Sequence, residues 1–157
     1  TFRKINLQQY RSQIGTILNG ETLFEGSIRE NITFNDPTLT SEDLKWVIDA
    51  MQLGDLIKSL PNGLETRIFP EGKQLTSSNS QKILLARSII HKPKVLFFEN
   101  PTDHMDDAVA KDIIEFLCAP QQQWTVIVSS KNQLWKTKAT RHIIMQNGKI
   151  VSDIQKN

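Results

Sequence analysis

The stretch from Leu75 to Asp107, LTSSNSQKILLARSIIHKPKVLFFENPTDHMDD, constrains the fold more than any other part of this chain. It reads as helix, loop, strand and then a polar turn opening another helix. Ser77 and Ser78 are placed to start the first helix, because hydroxyls accept from the free N–H groups of a first turn. Ile83, Leu84, Ile89 and Ile90 recur at helical spacing. His91 and Lys92 suit the helix's negative C-terminal end, and Pro93 stops it. Val95-Leu96-Phe97-Phe98 is an apolar run without alternation, which predicts a strand covered on both faces with Phe97 and Phe98 in the core. It ends in Glu99 and Asn100, polar residues at the C-terminal tip of a strand, the edge where open α/β sheets hold ligands. The expectation is an α/β fold.

Along the chain, Thr1–Tyr10 is polar and low in pattern, and residues 13–18 read as a strand that Asn19-Gly20 breaks. Ser27 is placed to cap a short helix carrying Ile28 and Ile32. Thr40 and Asp43 make a capping box for a helix with Leu44, Val47, Ile48 and Met51 on one face. Gly54 separates that helix from a second one, ended by Pro61 and Asn62-Gly63. Beyond the central stretch, Asp107–Leu117 is an amphipathic helix with Val109, Ile113, Ile114 and Leu117 inward. Residues 125–128 predict a second buried strand. Asn147-Gly148 between two apolar-containing runs is a strong hairpin signal.

The 157 residues suit one domain, and 38% hydrophobic with 23% charged content is ordinary for a globular protein. Charge excludes some functions. The formal net charge of +2 comes from dispersed residues, and Trp46, Trp124 and Trp135 form no stacking ladder, so nucleic acid is not an expected partner. The single cysteine, Cys118, has no internal disulfide partner and is expected to pack in the core. No apolar run approaches the ~20 residues that span a bilayer, and TFRKINLQQY is too polar for a signal peptide. The chain is expected on the cytosolic side and soluble when isolated.

The central stretch resembles the segment that joins the signature motif, Walker B strand and D-loop of ABC transporter ATP-binding domains. That family runs roughly LSGGQ-x-Q-R-I-x-L-A-R-A, four apolar residues, Asp-Glu, and a loop ending SALD. Gln81, Ile83, Leu85-Ala86-Arg87, the strand, Thr102 and Asp106 match it without gaps. ETLFEGSIRENITF likewise resembles the segment after the family's Q-loop, near TxLFxxTIxENI, and LPNGLETRIFPEGKQL its run into the signature helix. The likeness extends from about Gln13 to the end of the chain. It implies a partial P-loop NTPase (RecA-like) parallel sheet, with residues 1–19 and 76–157 as the α/β core and 20–75 as an inserted helical subdomain. It also implies ATP and magnesium as ligands, a second such domain as head-to-tail partner, and the transmembrane domain of an exporter at the cytoplasmic face of a membrane.

Against that pattern one part is missing and several positions differ. A phosphate-cradling loop needs G-x-x-x-x-G-K-[ST]. The Gly-Lys pairs, Gly72-Lys73 and Gly148-Lys149, lack the leading glycine, with Arg67 and Ile143 there instead. In the family that loop lies upstream of where the likeness begins, so the chain is expected to be a fragment of a longer protein. The resemblance places Asn19 at the Q-loop glutamine, which touches magnesium and the attacking water. Thr76-Ser77-Ser78-Asn79 stands for SGGQ, whose glycines let a helix N-terminus approach the partner's γ-phosphate. Glu99 replaces the Walker B aspartate, leaving Asn19 and Glu99 as weak metal contacts. Asp106 falls at the D-loop aspartate. Asn100 replaces the water-polarising glutamate, and an amide cannot act as a base near neutral pH. Lys131 stands where a switch histidine belongs.

Plainer readings apply to some of these residues. Asn100 alone would serve as a strand-end cap. Asp103-His104-Met105-Asp106-Asp107 reads as a solvated turn capping the next helix rather than a metal cluster, since adjacent ligands rarely converge. His142 belongs on an alternating strand, exposed or satisfied in place. The reading that emerges is an ATP-binding subunit or domain of an ABC exporter with weak or no hydrolysis. The alternative is a non-catalytic interaction module that keeps the dimer face, and an unrelated α/β binding domain is a third.

Overall fold

A computed structural model describes residues 6–156. It contains α1 (Leu7–Arg11), β1 (Ile14–Ile17), β2 (Gly26–Ser27), α2 (Ile28–Thr33), α3 (Ser41–Ala50), α4 (Gly54–Ser59), β3 (Arg67–Ile68) and α5 (Ser77–Ile89). There follow β4 (Val95–Glu99), α6 (Asp107–Leu117), β5 (Thr125–Ser129), α7 (Gln133–Lys138), β6 (Arg141–Gln146) and β7 (Lys149–Gln155). Strands β1, β4 and β5 form a parallel three-stranded sheet with β4 in the centre. Ile14 lies opposite Val95 and Ile17 opposite Phe98, while Val95 to Glu99 face Thr125 to Ser129.

The sheet buries one face. Ile17, Leu96 and Phe98 join Ile83, Leu85 and Ile89 of α5 and Ile113, Ile114 and Leu117 of α6 in a continuous core. Gly15 is required where β1 meets α5, because a Cβ there would lie 2.1 Å from the Ser88 carbonyl oxygen and 2.7 Å from Leu96 Cδ2. On the opposite face Phe97 is 40% exposed and Ile127 48% exposed, beside exposed Thr16. The expectations of a strand covered on both faces, of Phe97 in the core and of a fully buried β5 are therefore corrected. Side chains alternate across a strand, and the described residues place helices against one side of this sheet only.

Helix starts follow local chemistry. Ser27 and Glu30 close a capping box on α2, with Glu30 N–H donating to Ser27 Oγ at 3.0 Å and Ser27 N–H to Glu30 Oε2 at 2.6 Å. Thr40 and Asp43 do the same for α3. The cap of α5 is Thr76, whose hydroxyl accepts from Asn79 N–H at 3.2 Å, whereas Ser77 and Ser78 already lie within the helix. Gly54 opens α4 rather than standing between helices. The two-residue strands β2 and β3, the short α1 and α7 carried no sequence signal, being too brief for periodicity to register. Residues 1–5 lie outside the described residues, as does Asn157. Asn147 and Gly148, at φ 51° and 74°, make the turn between β6 and β7, the pair of positive angles a type I′ hairpin needs. His142 in β6 is half-buried. No helix among the described residues is long and apolar enough to cross a membrane.

Residues 20–75 fold into α2, α3 and α4 with the small β2–β3 pair, and their apolar side chains enter the same core. Trp46 of α3 meets Phe116 of α6 and Trp124 at ring separations of 6.1 and 6.4 Å, tying the helical stretch to the sheet layer. Cys118 packs half-buried against this core, and burial pushes its thiol above the ordinary value. Lys92 closes the junction, its ammonium 2.7 Å from Asp43 Oδ1 and over the Trp46 ring. The Lys92 hydrogen bond, then the Thr40 cap, hold the Asp43 carboxyl at about 2. A depressed carboxylate contributes stability above its unfolded pKa and loses it as pH falls through the folded value. Carboxyl titration by NMR should give a midpoint near 2 for Asp43, and Lys92→Ala should raise it toward the ordinary range. An unchanged midpoint in that variant would show that the ammonium contributes nothing.

Candidate functional site

The C-terminal tips of β1 and β4 open into a polar cleft of about 250 Å³, lined by Asn19, Gly20, Glu21, Gln81, Glu99 and Asn100 among others. Parallel pairing puts these residues together, because the register that sets Ile17 against Phe98 brings both strand ends to one edge. Leu18 to Glu21 form a turn closed by Glu21 N–H donating to the Leu18 carbonyl at 3.0 Å. Gly20 sits third at φ +82°, the positive angle that a type II turn requires there. Two carboxylates hold the turn's successive amides. Leu18 N–H donates to Glu21 Oε2 at 3.2 Å and Asn19 N–H to Glu99 Oε2 at 3.0 Å.

Asn100 follows Glu99 at φ 49° and donates its N–H to the Ser129 carbonyl at 2.8 Å. Asparagine is among the non-glycine residues most tolerant of that region. Its backbone thus accounts for asparagine on local grounds. Three of the residues expected at a site, Asn19, Glu99 and Asn100, are brought together here. The others are not. Thr76 to Asn79 form the N-terminus of α5, with Thr76 and Ser77 exposed and Ser78 and Asn79 half-buried, away from the cleft lining. Lys131 is exposed beyond β5. Asp106 takes the N-cap position of α6 without a side-chain cap hydrogen bond, so the expected capping by this turn is made by backbone placement alone. Asp103 and His104 reach the rim of the cleft, and they, Asp106 and Asp107 are solvent-exposed.

Sequence reasoning missed what supports the cleft. Arg87, matched only as a family letter, is 8% exposed at its side chain and stands behind the turn. Its guanidinium donates to the Asn31 carbonyl and Asn31 Oδ1, each at 2.7 Å, and to the Thr22 carbonyl at 3.2 Å. Glu21 Oε1 lies 3.8 Å away. Phe24 and Phe34 stack on each other at 5.6 Å, and the guanidinium carbon lies 5.3 and 5.1 Å from their ring centres. Burial lowers the Arg87 pKa, and Glu21 draws it back up. The invisible partner was Asn31, fully buried, whose amide also donates to the Phe24 and Ser27 carbonyls. Trp135 adds a second support, its indole N–H donating to Thr102 Oγ1 at 3.1 Å.

These residues do not by themselves fit a nucleotide with magnesium. Magnesium takes a near-octahedral oxygen set, commonly one or two carboxylates completed by phosphates and water. Among the described residues no three histidine, cysteine or acidic side chains converge as a metal-ligating group. Glu99 already accepts an amide through Oε2, and Glu21 serves its own turn and Arg87. Gly72 belongs to the turn before α5 and Gly148 to the β6–β7 hairpin, so neither Gly-Lys pair cradles an anion.

Comparison with known proteins places this arrangement. A scan against models of known protein families gives no match. The chain is 33% identical over 145 residues to the ABC-type transporter kk1G of Curvularia clavata, covering 91% of this chain and 11% of that protein. It is 30% identical over 154 residues to the ATP-dependent permease MDL1 of Candida albicans, covering 95% and 22%. It is 31% identical over 141 residues to the leukotoxin translocation ATP-binding protein LktB of Mannheimia haemolytica, covering 90% and 20%. The chain thus spans between about a tenth and a fifth of the length of these relatives. Its fold matches a bacterial Atm1-family ABC exporter with ATP bound at a TM-score of 0.87 and 19% identity, over 95% of this chain and 26% of that one. The α/β core with its parallel sheet is that of a partial P-loop NTPase domain. By motif order, by relatives spanning nearly all of its residues and by fold, the chain belongs to the ATP-binding domains of ABC transporters, exporter type.

Proposed function

We propose that this chain serves as the Walker B and signature part of an exporter's ATP-binding domain, coupling ATP binding to transport with weak or no hydrolysis. The tip of β4 carries the proposal. Glu99 and Asn100 occupy the Asp-Glu pair of the family, and the second has lost the carboxylate that would serve as base. In this reading Asn19, Glu99 and Asn100 face nucleotide held by phosphate-gripping groups from other residues of the protein. Thr76 to Asn79, with Asp106, would face the site of a second ATP-binding domain. Lys131 stands at the switch position, where an ammonium pairs with phosphate but does not copy a neutral imidazole. Residues 20–75 act as the helical insertion, facing a transmembrane domain at the cytoplasmic side of the membrane, on the same polypeptide or another.

A second reading is favoured by the two carboxylates on the Leu18 and Asn19 amides, which leave those two donors of the cleft already satisfied. In it the domain keeps the dimer face and dispenses with nucleotide. Either way the isolated 157 residues should bind ATP no tighter than about millimolar by calorimetry. A dissociation constant of about ten micromolar or below would show that they enclose phosphate unaided. ATP binding by the whole protein then separates the two, since only the first reading requires it.

A further inference from the structure

We propose that Glu99 is a positioning residue that latches the turn 18–21 to the tip of β4 and holds no metal ion, an inference that rests on reading this tip as the family's metal-bearing strand end. The observation is the 3.0 Å hydrogen bond from Asn19 N–H to Glu99 Oε2 across two neighbouring strands. β1 ends at Ile17, opposite Phe98, so the ladder gives out before Asn19. Glu99 reaches across that gap. An aspartate, one methylene shorter on the same backbone, would stop short of the amide. The glutamate that counts as a departure from the family pattern is therefore the residue type this contact needs.

The neighbouring donors support the same assignment. Leu18 N–H goes to Glu21, and Glu21 in turn lies 3.8 Å from the Arg87 guanidinium. The turn is thus held from both sides by carboxylates of its own chain, with Gly20 supplying its positive φ. A divalent cation on Glu99 would share the carboxylate with the Asn19 amide, leaving it Oε1 alone, and no third ligating side chain converges there among the described residues. The latch fixes the Asn19 backbone at the cleft.

Hydrogen exchange at the Asn19 amide of the 157-residue chain tests this, with Mn2+ as the metal probe. Losing this charge-assisted hydrogen bond in E99A and E99D should accelerate Asn19 exchange by about tenfold or more. The Leu96 and Phe98 amides should stay unchanged. E99Q retains an acceptor of the same length and should remain within about fivefold of the parent. Millimolar Mn2+ should leave parent and E99Q alike. Should E99A fail to fold, the contrast between E99D and E99Q decides. Mn2+ binding that E99Q abolishes would overturn the latch while upholding the metal-bearing reading of the strand end. Unaltered Asn19 exchange in E99D and E99A with no Mn2+ effect would overturn the latch and deprive that reading of support.

Discussion

Restoring glutamate at Asn100 alone should leave ATP turnover of the assembled transporter within about tenfold of the parent, whereas Asn100→Glu with Ser77→Gly and Ser78→Gly should raise it by about a hundredfold or more. An amide takes no proton near neutral pH, and supplying a positioned base is worth about 10²–10⁴ in rate. That gain is limited by two features. Asn100 sits at φ 49°, where a glutamate carries a backbone cost of about 1–2 kcal/mol, enough to weaken the placement of its carboxylate. The N-terminus of α5 is the second. Thr76 Oγ1 takes the Asn79 N–H, and the Ser77 and Ser78 side chains add bulk at the point where glycines would admit an anion to the helix end. In head-to-tail pairing the base and the signature serve different sites, so mending one leaves the other impaired. Turnover of each single variant and the combination decides it. If Asn100→Glu alone reached the combined level, the serine-bearing helix end would be competent and the proposed double defect wrong.

Asn31→Ala should destabilise the domain by about 1–3 kcal/mol in urea unfolding, the range for leaving buried polar groups without a partner. The side chain of Asn31 receives the Phe24 N–H at 3.1 Å and Arg87 Nη2 at 2.7 Å, and donates to the Phe24 and Ser27 carbonyls at 3.0 Å each. Alanine takes a partner from all four groups at a site where Asn31 itself is fully buried. Arg87 keeps the Asn31 backbone carbonyl and Thr22, so its charge is not wholly orphaned. The exposed Arg29–Glu65 pair is the control, because ion pairs in water contribute about 0–1 kcal/mol. Arg29→Ala should therefore shift the midpoint little. Equal effects of the two substitutions would show that the Asn31 network is no tighter than a surface pair.

The family, the order of the longer elements and the placing of Asn19, Glu99 and Asn100 at strand ends were legible in the chain itself. Each depends on local pattern: helical spacing in residues 83–90, an apolar run ending in polar residues, Asn147-Gly148 in a hairpin turn. Such signals come from backbone preference and from which side chains avoid water, and both are written in neighbouring residues. The Thr40–Asp43 capping box and the Ser27 cap were legible for the same reason, since donor and acceptor lie three residues apart. Tertiary structure alone decided that one face of the sheet holds Phe97 and Ile127 against solvent, because an apolar run states a preference and not what packs on it. It alone joined Arg87 to Asn31 across 56 residues, and Asn19 to Glu99 across 80, where the chain's own spacing carries no information about which carbonyl or carboxylate an amide will meet. Local chemistry fixes what a residue offers; only the folded register, by setting distances of about 3 Å between remote groups, decides who accepts it.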